Sequence, residues 1–273
     1  MKVTVSRYSL TSVLLVVAMA VLSWLLGSVL PFSAEFFAFP LNLVLLALWT
    51  WGIIELHRAG SRNIITRYLL SRQATVTSVT LLAAGCMAMG LQRNPATESY
   101  LFLFIIFFVI TQLSLVTLRG WRDGSGIRWT FICCHLGLLL ALIAGFWGAS
   151  DTRVMRAELA SEKVNTALCE DGKLVQLDYN MHLIDFKVDY FENGVPSHYE
   201  ATIDVDNQVV TLAVNYPHKV AFGEYIYLTS FDSRTDGMHC IVQIVRQPWR
   251  GVMLAGILLL IAGSLLLFFR RSR

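Results

Sequence analysis

Residues 129–149 are WTFICCHLGLLLALIAGFWGA, and residues 182–205 are HLIDFKVDYFENGVPSHYEATIDV. The first stretch is apolar over about 20 residues, the length that a helix needs to cross a hydrocarbon core of about 30 Å. The second alternates between apolar and polar residues around Glu192-Asn193-Gly194, a pattern typical of half-buried antiparallel strands joined by a turn. The chain therefore combines a membrane-spanning part with a part that folds in water.

The composition of the whole chain indicates an integral membrane protein. Of its 273 residues, 55% are hydrophobic and 15% are charged, against about 25% charged residues in an ordinary soluble domain. Five cysteines are too few for a disulfide-rich secreted scaffold. A purely soluble globule and a disordered chain are excluded as well.

Six stretches are apolar and long enough to be membrane spans. They are residues 10–31, 36–56, 74–91, 100–118, 129–149 and 249–269. The third has the weakest signal, because Ser and Thr side chains dilute it and two glycines weaken the helix. The predicted fold is an α-helical transmembrane bundle of about six spans with a small extracytoplasmic all-β domain between the last two.

Positive charges alternate between the loops and so predict the orientation, because Lys and Arg in short loops stay on the cytoplasmic side. The clusters are Lys2 and Arg7; Arg58, Arg62, Arg67 and Arg72; Arg119, Arg122 and Arg128; and Arg270, Arg271 and Arg273. Of the two short loops on the opposite side, residues 32–35 have no Lys or Arg, and residues 92–99 have one, Arg93. We therefore expect both termini in the cytoplasm and the β-domain outside.

The predicted boundaries are residues 1–150 for a five-span bundle, 151–247 for a β-sandwich-like domain, and 248–273 for the last helix and its tail. Residues 151–247 have 15 acidic and 8 basic side chains, a net charge of −7 in a chain of +3. Strands are predicted over residues 174–178, 182–190, 199–205, 210–214, 224–231 and 238–245, in a small sandwich or open barrel. Residues 153–166 are predicted as a short amphipathic helix or linker.

His135 is the main candidate for a functional residue. It lies six residues inside Trp129, about 9 Å deep at 1.5 Å per residue, and an ionisable group at membrane depth suggests a functional site. Its side of the helix is otherwise apolar, as is common for an axial haem ligand. The alternative is an interhelical hydrogen bond to Ser or Thr. A ridge of small residues starts on the opposite side of the helix and favours close packing against a neighbouring helix. Its members are Gly137, Ala141, Gly145 and Ala149.

Two cysteines are candidates for a structural disulfide. Cys86, Cys133 and Cys134 lie in predicted spans, where a thiol usually fills apolar space. Cys169 and Cys240 belong to the domain predicted to face an oxidising compartment, so we predict a bond between them. The chain has no CxxC or CxxCH motif, so neither a thioredoxin-like centre nor covalent haem attachment to this chain is indicated.

Other function classes are disfavoured. No carboxylate lies deep in a predicted span, as proton-coupled transport would require. Hydrolase, zinc-protease and P-loop motifs are absent from the sequence. The acidic outer domain argues against nucleic acid as a partner.

Short motifs follow one another from residue 127 to the C-terminus. They are HLGLLL at 135–140, DFKVDY at 185–190, GVPSHY at 194–199, VNYP at 214–217, EYIY at 224–227 and VRQPW at 245–249. Their order resembles the ResB family, also called CcsB, of cytochrome c biogenesis proteins. That family usually has three spans before its outer domain, whereas five are predicted here, and this outer domain is shorter.

The resemblance implies a subunit of a cytochrome c assembly complex in the bacterial inner membrane, with its β-domain in the periplasm. Such a subunit would take part in haem transport and delivery to apocytochrome c, with a CcsA-like integral membrane partner. It would be part of a holocytochrome c synthase whose thioether chemistry belongs mainly to the partner. The resemblance maps a ligand of the transported haem b iron to His135.

Two alternatives to haem delivery are open at this point. The chain could be a non-catalytic membrane-anchored scaffold whose β-domain binds a periplasmic partner. It could also be a small redox subunit in which His57 and His135 ligate one haem b, although their depths differ by about 9 Å. In every case membrane lipid surrounds the spans.

Overall fold

The chain divides into two compact units. The computed structural model describes residues 7–91, 99–123, 126–170, 172–231 and 239–271. One compact unit is Met1–Ser150 with Gly251–Arg273, and the other is Asp151–Arg250. Of the residues used above, Lys2, Arg93, Arg273 and residue 238 lie outside the described part.

Helices coincide with all six predicted spans. In the described residues, α1 to α7 are Arg7–Val29, Leu41–Ala59, Ile64–Leu69, Arg72–Leu91, Tyr100–Gly120, Trp129–Ala149 and Arg250–Arg271. Four of them (α1, α5, α6 and α7) are long and apolar enough to cross a membrane. That α2 and α4 also cross it stays a prediction, and α3 is a short helix that the sequence did not predict.

The polar side chains of α4 bind the neighbouring helix α5. Gln112 Nε2 donates to Thr75 Oγ1 at 3.0 Å, and Ser78 Oγ donates to Gln112 Oε1 at 3.3 Å. Ser78 and Gln112 are both buried, where a polar group needs such partners. The residues that weaken the apolar signal of α4 therefore dock it against α5, which also packs on α1, α2 and α6.

Helices α6 and α7 approach each other through glycines. A Cβ added to Gly137 would lie 2.8 Å from the carbonyl oxygen of Gly256, and one added to Gly256 would lie 2.7 Å from the nitrogen of Ala141. A Cβ at Gly145 would meet only Met253, at 3.9 Å. Close packing of the small-residue ridge on a neighbouring helix is therefore confirmed at Gly137 and Ala141.

The second unit is one antiparallel sheet of eight strands. A short hairpin in the first unit comes before it, with β1 at Arg122–Asp123 and β2 at Gly126–Ile127. Strands β3 to β10 are Arg153–Leu159, Val164–Cys169, Leu174–Tyr190, Pro196–Val205, Gln208–Ala213, His218–Ala221, Glu224–Phe231 and Cys240–Arg246. Their order is β7-β6-β5-β4-β3-β10-β9-β8.

The prediction of a helix or linker at residues 153–166 is wrong, because β3 and the first half of β4 lie there. Met155, Ala157 and Leu159 are buried while the residues between them are exposed, which is the period of a strand. The strands predicted at 174–178 and 182–190 form the single strand β5, and β8 was not predicted. A turn joins β6 and β7 at residues 206–207, with φ of 47° at Asp206 and 68° at Asn207.

The sheet folds over a single hydrophobic core. Tyr199 of β6 donates from its hydroxyl to the carbonyl oxygen of Thr229 in β9, at 3.1 Å. The ring of Phe231 in β9 contacts the rings of Phe186 and Tyr199, with centroids 4.9 and 5.1 Å away. Strand β9 is a sheet neighbour of neither β5 nor β6, so these contacts bring two distant parts of the sheet together.

Candidate functional site

The imidazole of His135 has a defined hydrogen bond within its own helix. His135 lies in the second turn of α6, and its Nδ1 is 2.9 Å from the carbonyl oxygen of Phe131. Because a carbonyl oxygen only accepts, Nδ1 is the donor, and in the neutral ring Nε2 then has a lone pair. Phe131 rather than a Ser or Thr of another helix is therefore the partner of Nδ1.

A stack of three side chains along α6 holds this imidazole. The rings of Phe131 and His135 are 3.8 Å apart between centroids and 22° from parallel. The guanidinium carbon of Arg128 lies 4.7 Å from the centroid of Phe131, on its ring face. A Cβ at Gly120 of α5 would lie 2.7 Å from Phe131 Cε1. The ring of Phe131 therefore fits against α5 because residue 120 is a glycine, which has no side chain.

This arrangement fits a single axial ligand to iron. A histidine that donates from Nδ1 to a carbonyl has its tautomer and ring orientation fixed, with Nε2 available for a metal. His135 is half-buried on the helix surface, so its imidazole is accessible to a group beside α6. In the described part of the chain, no group of three or more His, Cys, Asp or Glu residues could hold a metal ion.

The structure does not pair His57 with His135. His57 is exposed in the last turn of α2, and among the described interactions no hydrogen bond, ion pair or ring contact joins the two histidines. The alternative with both as ligands of one haem gains no support.

The predicted disulfide between Cys169 and Cys240 is not formed. Cys169 lies opposite Met155 of β3, whereas Cys240 lies opposite Leu159 on the other side of that strand. Two strands separated by a third are about 10 Å apart, beyond the Cα separation of about 7 Å that a disulfide allows. Cys240 is a core residue, and burial raises the pKa of its thiol to about 12.

A buried hydrogen bond ties the middle of β5 to the start of β9. Tyr179 donates from its hydroxyl to Glu224 Oε1 at 2.5 Å, and both side chains are buried. The pKa of Tyr179 is far above its ordinary value, mainly because the side chain is buried and also because of its bond to the carboxylate. The phenol therefore remains a donor that stabilises a buried carboxylate, which indicates a structural role.

A separate apolar cavity of about 800 Å³ lies between α2, α5 and α6. Trp49 and Thr111 line it and bond to each other, with Trp49 Nε1 donating to Thr111 Oγ1 at 3.0 Å. The α6 residues that line it start at Gly145, about 15 Å along the helix from His135. The sequence did not reveal this cavity, because its walls come from helices far apart in the chain.

Part of the chain matches a known protein family. Residues 123–242 match the model of the ResB-like family. The ResB-like match includes α6 with His135 and extends to Val242 in β10. It confirms the resemblance drawn from the motifs and supports a role in cytochrome c biogenesis.

Among solved structures, the chain is similar to a protein titled cytochrome c heme lyase CcmF, with 12% identity and a TM-score of 0.43. The alignment covers 94% of this chain and 44% of the other, so the chain spans less than half the length of that protein. No curated protein matches the sequence of this chain.

Proposed function

We propose that this chain is a membrane subunit of a cytochrome c biogenesis complex and that His135 binds the iron of the haem that the complex handles. The observation that carries the proposal is the hydrogen bond from His135 Nδ1 to the Phe131 carbonyl oxygen. It leaves Nε2, the other ring nitrogen, as the metal ligand. The ResB-like match over residues 123–242 supplies the setting.

In this proposal haem is the substrate that is carried and delivered. Iron accepts the lone pair of one imidazole from this chain, and the second ligand comes from a CcsA-like partner. His135 holds and orients the haem, while the apolar surface of α6 excludes water from its surroundings. The bond between haem and the apocytochrome forms mainly through groups of the partner.

The proposed location is the bacterial inner membrane, with both termini in the cytoplasm. The β-domain then lies in the periplasm, where apocytochrome c receives haem. The charge pattern of the loops supports this orientation, and the net charge of −7 on residues 151–247 agrees with a domain exposed to water. In the proposal the β-domain holds the partner or the apocytochrome beside the haem.

Visible absorption of the purified complex tests the proposal. The chain is co-expressed with a CcsA-like partner, and haem per complex is measured for wild type, His135→Ala and the control His57→Ala. We expect a Soret band of equal size in wild type and His57→Ala, and a smaller one in His135→Ala. A complex without a Soret band would instead support the scaffold alternative.

A further inference from the structure

The turn between β8 and β9 exposes a large aromatic side chain. Phe222 is 81% exposed, the highest value among the large hydrophobic side chains in the described part of the β-domain. Gly223 completes the turn with φ of 70°, a conformation that glycine adopts without strain. Single exposed apolar side chains are common on protein surfaces, so the location of this ring decides what it indicates.

This turn is attached to the segment that leads into α7. The backbone N–H of Gln247 donates to the carbonyl oxygen of Gly223 at 2.6 Å, and a Cβ at Gly223 would lie 2.8 Å from the carbonyl oxygen of Gln247. Three residues later α7 begins at Arg250, and this helix is long and apolar enough to cross a membrane. Phe222 is therefore fixed near the point where the chain enters the bilayer.

The other connection of the β-domain lies at the same end. Trp249 Nε1 donates to Asp151 Oδ2 at 2.7 Å, and Asp151 comes two residues after the end of α6. In the sheet, Arg246 lies opposite Arg153 at the start of β3 and opposite Glu224 at the start of β9. Both connections to membrane helices and the β8–β9 turn thus share one end of the β-domain.

Two basic side chains lie beside this turn. Lys219 of β8 is directly opposite Tyr225 of β9, so their side chains project from the same face of the sheet. The guanidinium carbon of Arg250 lies 4.4 Å from the centroid of the Tyr225 ring, on its face. Lys219 and Arg250 are both exposed. An exposed aromatic ring next to basic side chains matches the chemistry of a bilayer surface, which is apolar below and anionic at its phosphates.

We propose that the β8–β9 turn contacts the phospholipid surface of the leaflet on the side of the β-domain. The ring of Phe222 lies at the level of the headgroups, where aromatic side chains are enriched, and Lys219 and Arg250 bind lipid phosphates. The turn adds a lipid contact to the two covalent connections of the domain. This inference does not depend on haem binding by His135.

Photo-crosslinking of the full chain in phospholipid nanodiscs tests this contact. The photoreactive residue p-benzoylphenylalanine replaces Phe222, and in a control it replaces Ser161, which is exposed in the turn after β3. Since β3 is about 20 Å long, the control probe lies at the far end of the strand from the membrane connection. We expect lipid adducts, detected by mass spectrometry, at position 222 and their loss at position 161.

The charge of the leaflet gives a second measurement with the probe at position 222. In nanodiscs of anionic phosphatidylglycerol, Lys219→Gln should lower the yield of lipid adduct by up to about fivefold, the shift expected for one basic side chain at an anionic surface. The effect should be smaller in neutral phosphatidylcholine. Lys163→Gln is the matched control, because it removes the same charge from the turn after β3, and it should leave the yield unchanged.

Equal lipid adducts at positions 222 and 161 overturn the inference. An adduct of position 222 with the CcsA-like partner in place of lipid, when the complex is irradiated, overturns it as well. Equal yields in Lys219→Gln and Lys163→Gln contradict the phosphate contact. The exposed Ala221 of the same turn is a second position for the probe if the first variant does not accumulate.

Discussion

His135 Nδ1 donates a hydrogen bond to the backbone carbonyl oxygen of Phe131, one turn earlier in α6 and 2.9 Å away. The same two residues stack their rings at 3.8 Å between centroids. One neighbour therefore fixes both the tautomer and the plane of the imidazole. A hydrogen bond from the other ring nitrogen to a carbonyl is expected of a histidine that presents Nε2 to a metal.

The contact between α6 and α7 should be sensitive to a single methyl group. Gly137→Ala would put a Cβ 2.8 Å from a backbone oxygen of α7, and we expect the free energy of unfolding in detergent to fall by about 1–3 kcal/mol. Gly145→Ala is the matched control on the same helix, since its Cβ has only an ordinary contact at 3.9 Å. Thermal unfolding of both variants checks this, and equal stabilities would contradict it.

The Tyr179 hydroxyl should contribute to the stability of the β-domain. Tyr179→Phe removes the donor to the buried Glu224 carboxylate, which should cost about 1–3 kcal/mol. Tyr199→Phe is the control, because its hydroxyl bonds to a carbonyl oxygen in an exposed setting and its loss should cost less. Urea unfolding of the full chain in detergent measures both, and a larger loss in Tyr199→Phe would argue against this account.

Cys240 should resist alkylation in the folded protein. Its side chain is fully buried, and its pKa is raised from 9.0 to about 12, so at pH 8 it is neither accessible nor ionised. The half-buried Cys169 should react faster. Because the unfolded thiol ionises near pH 9, its burial stabilises the fold fully below that pH and progressively less toward pH 12. Labelling is measured by mass spectrometry after brief iodoacetamide treatment, and equal labelling of Cys240 and Cys169 would contradict this prediction.

Asn193 offers a test of orientation. It lies in the turn between β5 and β6 and is exposed, so Asn193→Cys should react with a membrane-impermeant maleimide in intact spheroplasts. Arg62→Cys, exposed between α2 and α3, should react only after lysis. The labelling of the wild-type protein, which has its own cysteines, is subtracted as background. Labelling of Arg62→Cys in intact spheroplasts and of Asn193→Cys only after lysis would place the β-domain in the cytoplasm.

The sequence predicts most elements because their periodicity is local. The alternation at 182–205 predicts β5, β6 and the turn between them, and the small residues at Gly137 and Ala141 predict a close helix contact. The strand β3 was missed because Met155, Ala157 and Leu159 alternate over only seven residues beside a membrane span. Cys169 and Cys240 are kept apart because β3 lies between β4 and β10 in the sheet. The spacing of the two cysteines along the sequence does not reveal that strand order.

The candidate site, too, is only partly predictable from the sequence. The depth of His135 within an apolar span is readable from the sequence, whereas its tautomer is not, because that depends on the side-chain rotamer that bonds Phe131. Gly120 and Phe131 meet only through the packing of α5 on α6. No periodic pattern marks such a contact between two helices.

Chemical rescue of His135→Gly tests the central claim most directly. Removing the imidazole should abolish most holocytochrome c formation, and added imidazole should restore it, because a free ring can occupy the vacated space and bind iron through its own nitrogen. Cytochrome c yield and the Soret band of the purified complex are measured with and without imidazole, using wild type as reference. We expect both to fall in His135→Gly and to recover with imidazole. Wild-type haem content and normal cytochrome c yield in His135→Gly without imidazole would contradict the account.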